Sequence, residues 1–201
     1  MYLKICGLRT AEHIEVALAS GADAIGFVMN RTSSRRVDVD QARRLVAVVA
    51  GRADTVLVVN DMPADEAARI AQQVGIDVVQ LHGPRYDAAA FADALAIVPR
   101  VWRATSLADD PDLSVGAFGE EVLLLDAPKP GSGETWDLSA LVERAPAGKW
   151  LLAGGLNPDN VAEAIATAKP WGVDVSSGVE SAPGEKDSFR IAAFAAAARD
   201  A

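Results

Sequence analysis

Short runs of apolar residues alternate with helical patterns along the whole 201-residue chain. Several of the runs are nearly unbroken stretches of valine, isoleucine and leucine, as expected for parallel strands that are covered on both faces. We predict eight strands, and a helix or helix-like segment follows each of them. The predicted strands are residues 2–6, 24–28, 55–60, 78–82, 98–104, 121–126, 150–153 and 173–176.

Eight β/α units in one chain predict an α/β fold, a (β/α)8 TIM barrel in which residues 1–201 form one compact domain. Candidate N-caps support this pattern at Thr10, Asp38 and Asn157. The predicted helices are 11–20, 39–50, 63–74, 86–96, 111–118, 138–144, 158–167 and 187–199. A doubly wound open sheet is the alternative, but residues 6–10 lack the G-x-G-x-x-G turn that usually follows its first strand.

Composition argues against several functional classes. A formal net charge of −9 disfavours nucleic acid as a partner, because binding a phosphate backbone requires a basic face. The apolar runs are far shorter than the roughly 18–20 residues of a membrane span, and no signal-peptide pattern is present. We therefore expect a cytoplasmic protein without membrane contact or an obligate protein partner. With one cysteine, Cys6, and two distant histidines, His13 and His82, the sequence predicts neither a disulfide nor a metal site.

Polar residues cluster at the predicted strand ends, where TIM barrels carry their active sites. Cys6 ends the first strand and Asp126 ends the sixth, so both side chains are expected at the barrel mouth. A thiolate and a protonated carboxyl group there would form a base and acid pair, and Lys4, on the same strand face as Cys6, would favour the thiolate. The structural alternatives are a small buried cysteine and a capping aspartate.

An anion site is predicted after the last two strands. Gly154 and Gly155 follow the seventh strand, and Ser176 and Ser177 end the eighth. TIM barrels often bind phosphate in these loops, through backbone amides and hydroxyl groups. Tight turns that need glycine are the alternative.

A second anion site is predicted in the loop after the second strand. Arg31, Arg35 and Arg36 lie close together there in an otherwise acidic chain, and arginine binds carboxylates bidentately. A solvated basic loop is the alternative. His82, at the end of the fourth strand, either lines the pocket or has a structural role.

Motifs along essentially the whole chain resemble those of the phosphoribosylanthranilate isomerase family of tryptophan biosynthesis. Their order and spacing also fit that family. The motifs are KICG at 4–7, GADAIGFV at 21–28, S-x-R-x-V at 33–37, QLHG at 80–83, LLLD at 123–126, GSGETWD at 131–137, GGLNPDNV at 154–161, VDVSSGVE at 173–180 and PGEKD at 183–187.

The resemblance implies a cofactor-independent isomerase with a small-molecule phosphoribosyl substrate. Such an enzyme converts N-(5-phosphoribosyl)anthranilate to 1-(2-carboxyphenylamino)-1-deoxyribulose 5-phosphate in an Amadori rearrangement. The resemblance implies Asp126 as the general acid that opens the furanose ring and Cys6 as the general base at C2′. It also implies that Arg35 binds the anthranilate carboxylate. The implied phosphate-binding residues are Gly155, Asp174, Ser176 and Ser177.

Two departures from the family pattern stand out. Glu134 occupies a position that is usually basic, in a loop expected to line or cover the pocket, where an acidic residue would weaken binding of a doubly anionic substrate. Residues 29–31 replace a more usual aromatic–proline stretch. The alternatives are a related phosphosugar isomerase, which would have an aspartate in place of Cys6, and a non-catalytic binding barrel, which would need neither Cys6 nor Asp126.

Overall fold

A computed structural model describes residues 1–109, 111–127, 138, 141 and 144–201. Eight parallel strands pair in sequential order, and the eighth pairs with the first to close a barrel. This architecture confirms the predicted TIM barrel. The strands are β1 (Tyr2–Cys6), β2 (Ala24–Val28), β3 (Asp54–Val59), β4 (Val78–His82), β5 (Val101–Ser106), β6 (Val122–Asp126), β7 (Trp150–Leu152) and β8 (Gly172–Val175).

Six α-helices of the described residues surround the barrel. They are α1 (Ala11–Ala19), α2 (Val39–Val49), α3 (Ala64–Val74), α4 (Ala88–Leu95), α5 (Val161–Ala168) and α6 (Ser188–Arg199). The predicted N-caps at Thr10 and Asp38 are confirmed, because each side chain accepts a hydrogen bond from the amide three residues later. A short antiparallel hairpin, β9 (Glu180–Ala182) and β10 (Glu185–Lys186), lies between β8 and α6.

Two predicted elements begin three residues later than expected. The fifth strand begins at Val101 instead of residue 98, because the amide of Val98 bonds the carbonyl of Ala94 and closes the turn after α4. The helix predicted at 158–167 begins at Val161. Asn157 does not cap it directly, since its side-chain oxygen accepts from the amides of residues 159 and 160 and forms a turn before the helix.

The helix predicted at 111–118 does not form. Residues 111–114 are irregular and residues 115–118 form a turn. Arg103 of β5 fixes this segment, because its guanidinium donates to Glu120 at 2.7 Å and to the carbonyl of Ser114 at 3.1 Å. Glu120 in turn accepts from the amide of Phe118 at 2.8 Å. Most of the helix predicted at 138–144 lies outside the described residues.

The barrel interior changes from apolar to polar between its floor and its mouth. Alternate residues of each strand point inward. The apolar floor consists of Ala24, Val56, Val78, Trp102, Val122 and Leu151. The buried polar layer above it consists of Lys4, Gln80 and Asp174. The mouth carries Cys6, His82, Asp126 and Ser176. None of the helices in the described part of the chain has the length and apolar character that crossing a bilayer requires.

Candidate active site

A cavity of about 250 Å³ opens at the carboxyl ends of the strands. A smaller recess of about 40 Å³ adjoins it, and three residues line both spaces. The predicted site residues that line the cavity are Cys6, Arg35, His82, Asp126, Asp174 and Ser176. The predicted site residues that line the recess are Asp126, Gly154, Gly155, Asp174, Ser176 and Ser177. The structure therefore brings the two halves of the predicted site together at one mouth of the barrel.

Cys6 is the last residue of β1 and is almost fully buried. The neighbouring Gly26 of β2 leaves room for its thiol, because a Cβ at that position would lie 2.7 Å from Cys6 Sγ. Burial raises the pKa of the thiol above its usual value, and this effect outweighs the opposing effects of Lys4 and Lys186. Lys4 thus lowers the thiol pKa, as its position on the strand suggested, but the unliganded site holds mainly a neutral thiol.

Lys4 is fully buried beneath the cavity and does not line it. Its ammonium donates to Asp174 Oδ1 at 2.8 Å. Burial opposes the charge on Lys4, but the carboxylate of Asp174 and the neighbouring Cys6 raise the pKa of the ammonium overall. Phosphate contact by Asp174 stays a prediction, although its carboxylate already pairs with Lys4 and repels an anion.

Asp126 is the last residue of β6, and its Oδ1 accepts from the amide of Ala127 at 2.8 Å. Burial raises the pKa of Asp126 to about 6, and the negative charge of Asp174 adds to this increase. An aspartate with this pKa holds its proton in about a tenth of the molecules at pH 7, against roughly a thousandth for an ordinary aspartate. It can therefore serve as a proton donor.

His82 lies at the cavity wall beside Asp126. Its Nε2 is 3.8 Å from Asp126 Oδ2, which is beyond hydrogen-bond distance. Burial and the ammonium of Lys4 lower the pKa of His82 to about 4. The imidazole is therefore neutral at physiological pH and leaves Asp126 without a counter-ion on this side.

Of the three clustered arginines, only Arg35 faces the cavity. Its Nε and Nη2 donate to the two carboxylate oxygens of Glu180 at 2.7 and 2.9 Å. This pairing leaves the two hydrogens of Nη1 and one of Nη2 for another partner. Arg31 is exposed and pairs with Asp61 instead, at 3.2 Å. Arg36 lines a different surface cavity.

The recess is formed by the turn after β7 and the end of β8. Gly154 has a φ of 85°, and a Cβ there would lie 2.3 Å from the backbone nitrogen of Ala127. Gly154 therefore fits both interpretations of this loop. Its backbone conformation requires glycine, and the same conformation forms one wall of the recess. Lys186 adds positive charge, since its Nζ donates to the carbonyl of Ser176 at 2.7 Å.

Sequence reasoning missed Glu180 and Lys186 as part of the site. Both residues lie within the motifs at 173–180 and 183–187. Membership of these motifs is the signal that could have identified them. Their partners Arg35 and Ser176 belong to other loops, and Glu180 lies 145 residues from Arg35 along the chain. Glu134 lies outside the described residues.

Comparisons with known proteins identify the family and the fold. The family model for N-(5'-phosphoribosyl)anthranilate isomerase matches residues 3–197. The protein of that name from Erythrobacter litoralis is 43% identical over 212 residues, with 99% of each chain covered. The solved structure of TrpF from Jonesia denitrificans has a TM-score of 0.92 and 57% identity, and the match covers 99% of this chain and 97% of that one.

A further solved structure is relevant because it contains a ligand. It is a phosphoribosyl anthranilate isomerase in complex with reduced 1-(o-carboxyphenylamino)-1-deoxyribulose 5-phosphate, with 30% identity, a TM-score of 0.87 and 100% coverage of both chains. Family match, sequence identity and fold agree over nearly the whole chain. The chain therefore belongs to the N-(5'-phosphoribosyl)anthranilate isomerase family.

Proposed function

We propose that this protein converts N-(5'-phosphoribosyl)anthranilate to 1-(2-carboxyphenylamino)-1-deoxyribulose 5-phosphate, with Asp126 as general acid and Cys6 as general base. The observation that carries the proposal is that both groups line one cavity, which Arg35 also lines and which adjoins a glycine- and serine-lined recess. This arrangement suits a substrate with a carboxylate at one end and a phosphate at the other. The related isomerase with bound reduced product analogue supports the same ligand class.

In the first step, Asp126 donates its proton to the furanose ring oxygen. The C1′–O bond breaks, the ring opens, and the lone pair of the anthranilate nitrogen forms a Schiff base with C1′. A pKa of about 6 makes the protonated carboxyl group of Asp126 available for this transfer near neutral pH.

In the second step, the Cys6 thiolate removes the proton from C2′. The electrons of the C2′–H bond form a C1′–C2′ double bond, the Schiff base is neutralised to an enolamine, and tautomerisation gives the ketone. The positive charge of the Schiff base favours the thiolate, as does Lys4. This substrate charge counteracts the burial that keeps the thiol neutral in the unliganded site.

The charges around the cavity suit an anionic substrate in an acidic protein. With Asp126 protonated, three cations, Lys4, Arg35 and Lys186, face the carboxylates of Asp174 and Glu180. While Asp126 is protonated and the Cys6 thiol is neutral, the site thus has a balance of one positive charge (three cations against two carboxylates) despite the overall net charge of −9. No step of this mechanism requires a cofactor. A cytoplasmic location and the lack of an obligate protein partner stay predictions from the sequence.

The test is the loss of anthranilate fluorescence when purified protein and EDTA are added to freshly made phosphoribosylanthranilate. We expect decay faster than spontaneous hydrolysis, and the carboxyphenylamino product in the mass spectrum. Asp126→Asn should slow turnover by about 10²–10⁴-fold, whereas the exposed control Asp40→Asn should not. Free anthranilate as the main product, or decay that the folded protein does not accelerate, would refute the proposed reaction.

A further inference from the structure

The hairpin after β8 carries two buried charged residues to which the sequence assigned no role. Glu180 of β9 and Lys186 of β10 have side chains that are 4% and 2% exposed. Their charged groups form an ion pair of 2.7 Å. Charges buried this deeply need partners, and the partners of these two lie in the proposed active site.

Glu180 holds the guanidinium of Arg35. Both carboxylate oxygens accept from it, and the amide of Gly184 adds a hydrogen bond at 3.0 Å. Burial alone would raise the pKa of Glu180, but Arg35 and Lys186 lower it to about 2. Glu180 is therefore ionised near neutral pH and carries the negative charge that pairs with Arg35.

Lys186 connects this pair to the loops of β1 and β8. Its ammonium donates to the carbonyl and the hydroxyl oxygen of Ser176 at 2.7 and 3.3 Å. The hydroxyl of Ser176 in turn donates to the carbonyl of Cys6 at 3.3 Å. A single network thus joins the arginine on the cavity wall, the wall of the recess and the backbone of the proposed base.

We propose that Glu180, supported by Lys186, is a positioning residue that fixes Arg35 for recognition of the aromatic carboxylate of the substrate. This inference rests on the proposed function. A free arginine side chain samples many rotamers, whereas the two bonds to Glu180 fix the plane of the guanidinium. The hydrogens on Nη1 and the remaining one on Nη2 are left for a bidentate contact with a carboxylate.

The charge balance is consistent with this role. Arg35 and Lys186 together carry two positive charges against the single negative charge of Glu180. The cluster therefore keeps a net positive charge and attracts an anion although Arg35 is already paired. Lys186 is needed for this balance, because Glu180 alone would neutralise the arginine.

A pair of ligands separates positioning of Arg35 from a purely structural role. The first probe is reduced 1-(o-carboxyphenylamino)-1-deoxyribulose 5-phosphate, and the second is the same molecule without its ring carboxyl group. Dissociation constants are measured by calorimetry for the wild type, Glu180→Gln, Arg35→Met and the double variant. The exposed Glu185→Gln on the same hairpin is the matched control.

We expect the wild type to prefer the carboxylate-bearing ligand. Glu180→Gln should weaken binding of that ligand about tenfold, change binding of the second ligand less than about twofold, and cause no further loss when Arg35 is already Met. Glu185→Gln should bind both ligands like the wild type. If Glu180→Gln does not fold, Glu180→Asp keeps the charge with a shorter reach and should lose part of the same preference.

Three results would overturn the inference. If the folded Glu180→Gln variant still prefers the carboxylate-bearing ligand as strongly as the wild type does, the hairpin network only stabilises the structure and does not position Arg35. Tighter binding of the carboxylate ligand by this variant would show that Glu180 screens Arg35 instead of positioning it. A wild type that binds neither ligand would remove the proposed function itself, together with the inference, and is distinguishable from the first two results.

Discussion

Gly26→Ala should impair catalysis because it displaces the thiol of Cys6. An added Cβ would lie 2.7 Å from Sγ, 3.0 Å from Cα and 3.2 Å from Cβ of Cys6. Cα and Cβ of Cys6 are fixed by the backbone of the adjacent strand, so rotation of the Cys6 side chain cannot relieve these two contacts. Gly26 has no positive φ, and the effect of the substitution is therefore steric and not conformational.

The expected magnitudes follow from this geometry. Overpacking of a core by one methyl group costs about 1–3 kcal/mol. For a domain of this size each kcal/mol lowers Tm by roughly 2–4 °C. Displacement of the proposed base by about 1 Å reduces kcat by about 10²-fold, whereas KM should change little because the anion sites are untouched.

The assay combines steady-state fluorescence kinetics with thermal unfolding. Val78→Ile is the matched control, because it also adds one carbon and Val78 lies on the inward face of β4 at the barrel floor, away from the thiol. The control should lose comparable stability and keep most of its kcat. Equal kcat for Gly26→Ala and the wild type would refute the steric argument, and an equal loss of kcat in both variants would attribute the effect to general destabilisation.

Other predictions concern ionisation and the buried ion pair. In the proposed mechanism, activity requires protonated Asp126 and ionised Cys6, and Asp126 has the lower pKa. kcat/KM should therefore rise with pH up to about 6, stay level, and fall only above the raised pKa of the thiol. Asp126→Asn should remove the rise in kcat/KM near pH 6. If the rise persists in this variant, it belongs to the titration of another group. Lys4→Met should lower the free energy of unfolding by about 3–5 kcal/mol because it leaves Asp174 buried without its partner. Lys4→Met with Asp174→Leu should recover most of this loss in chemical denaturation; a double variant no more stable than the single one would contradict the pairing.

Local sequence patterns were sufficient to predict the barrel. The bounds of β1, β2 and β4 agree with the prediction residue for residue, because each is a short apolar run between clear breaks. The placement of Cys6 and Asp126 at the cavity follows from the same pattern. In a parallel barrel, the last residues of all strands meet at one mouth.

Long-range ion pairs account for most of what the sequence did not show. Lys4 and Asp174 are 170 residues apart, and their contact gives Asp174 a partner that competes with the phosphate role expected for it. Arg103 and Glu120 likewise determine the course of the segment predicted as a helix at 111–118. Such contacts depend on which strands become neighbours, so local periodicity carries no signal for them.

The sequence also could not show whether burial or neighbouring charges have the larger effect on the pKa of each site residue. Proximity of Lys4 to Cys6 was predictable from strand alternation, but the depth of the thiol was not. Burial is the larger effect and raises the thiol pKa, whereas the same effect on Asp126 favours its proposed role as an acid. Under the proposed mechanism, the charged substrate is therefore needed to convert the Cys6 thiol into the thiolate base.

The most direct test of the account compares turnover and binding in Cys6→Ser. We expect kcat for phosphoribosylanthranilate to fall by about 10²–10⁴-fold, because a serine hydroxyl is far too weak an acid to supply the base. The dissociation constant for the reduced product analogue should stay within about threefold of the wild type, since the proposed anion sites are unchanged. Turnover within about tenfold of the wild type would contradict the assignment of Cys6 as the base.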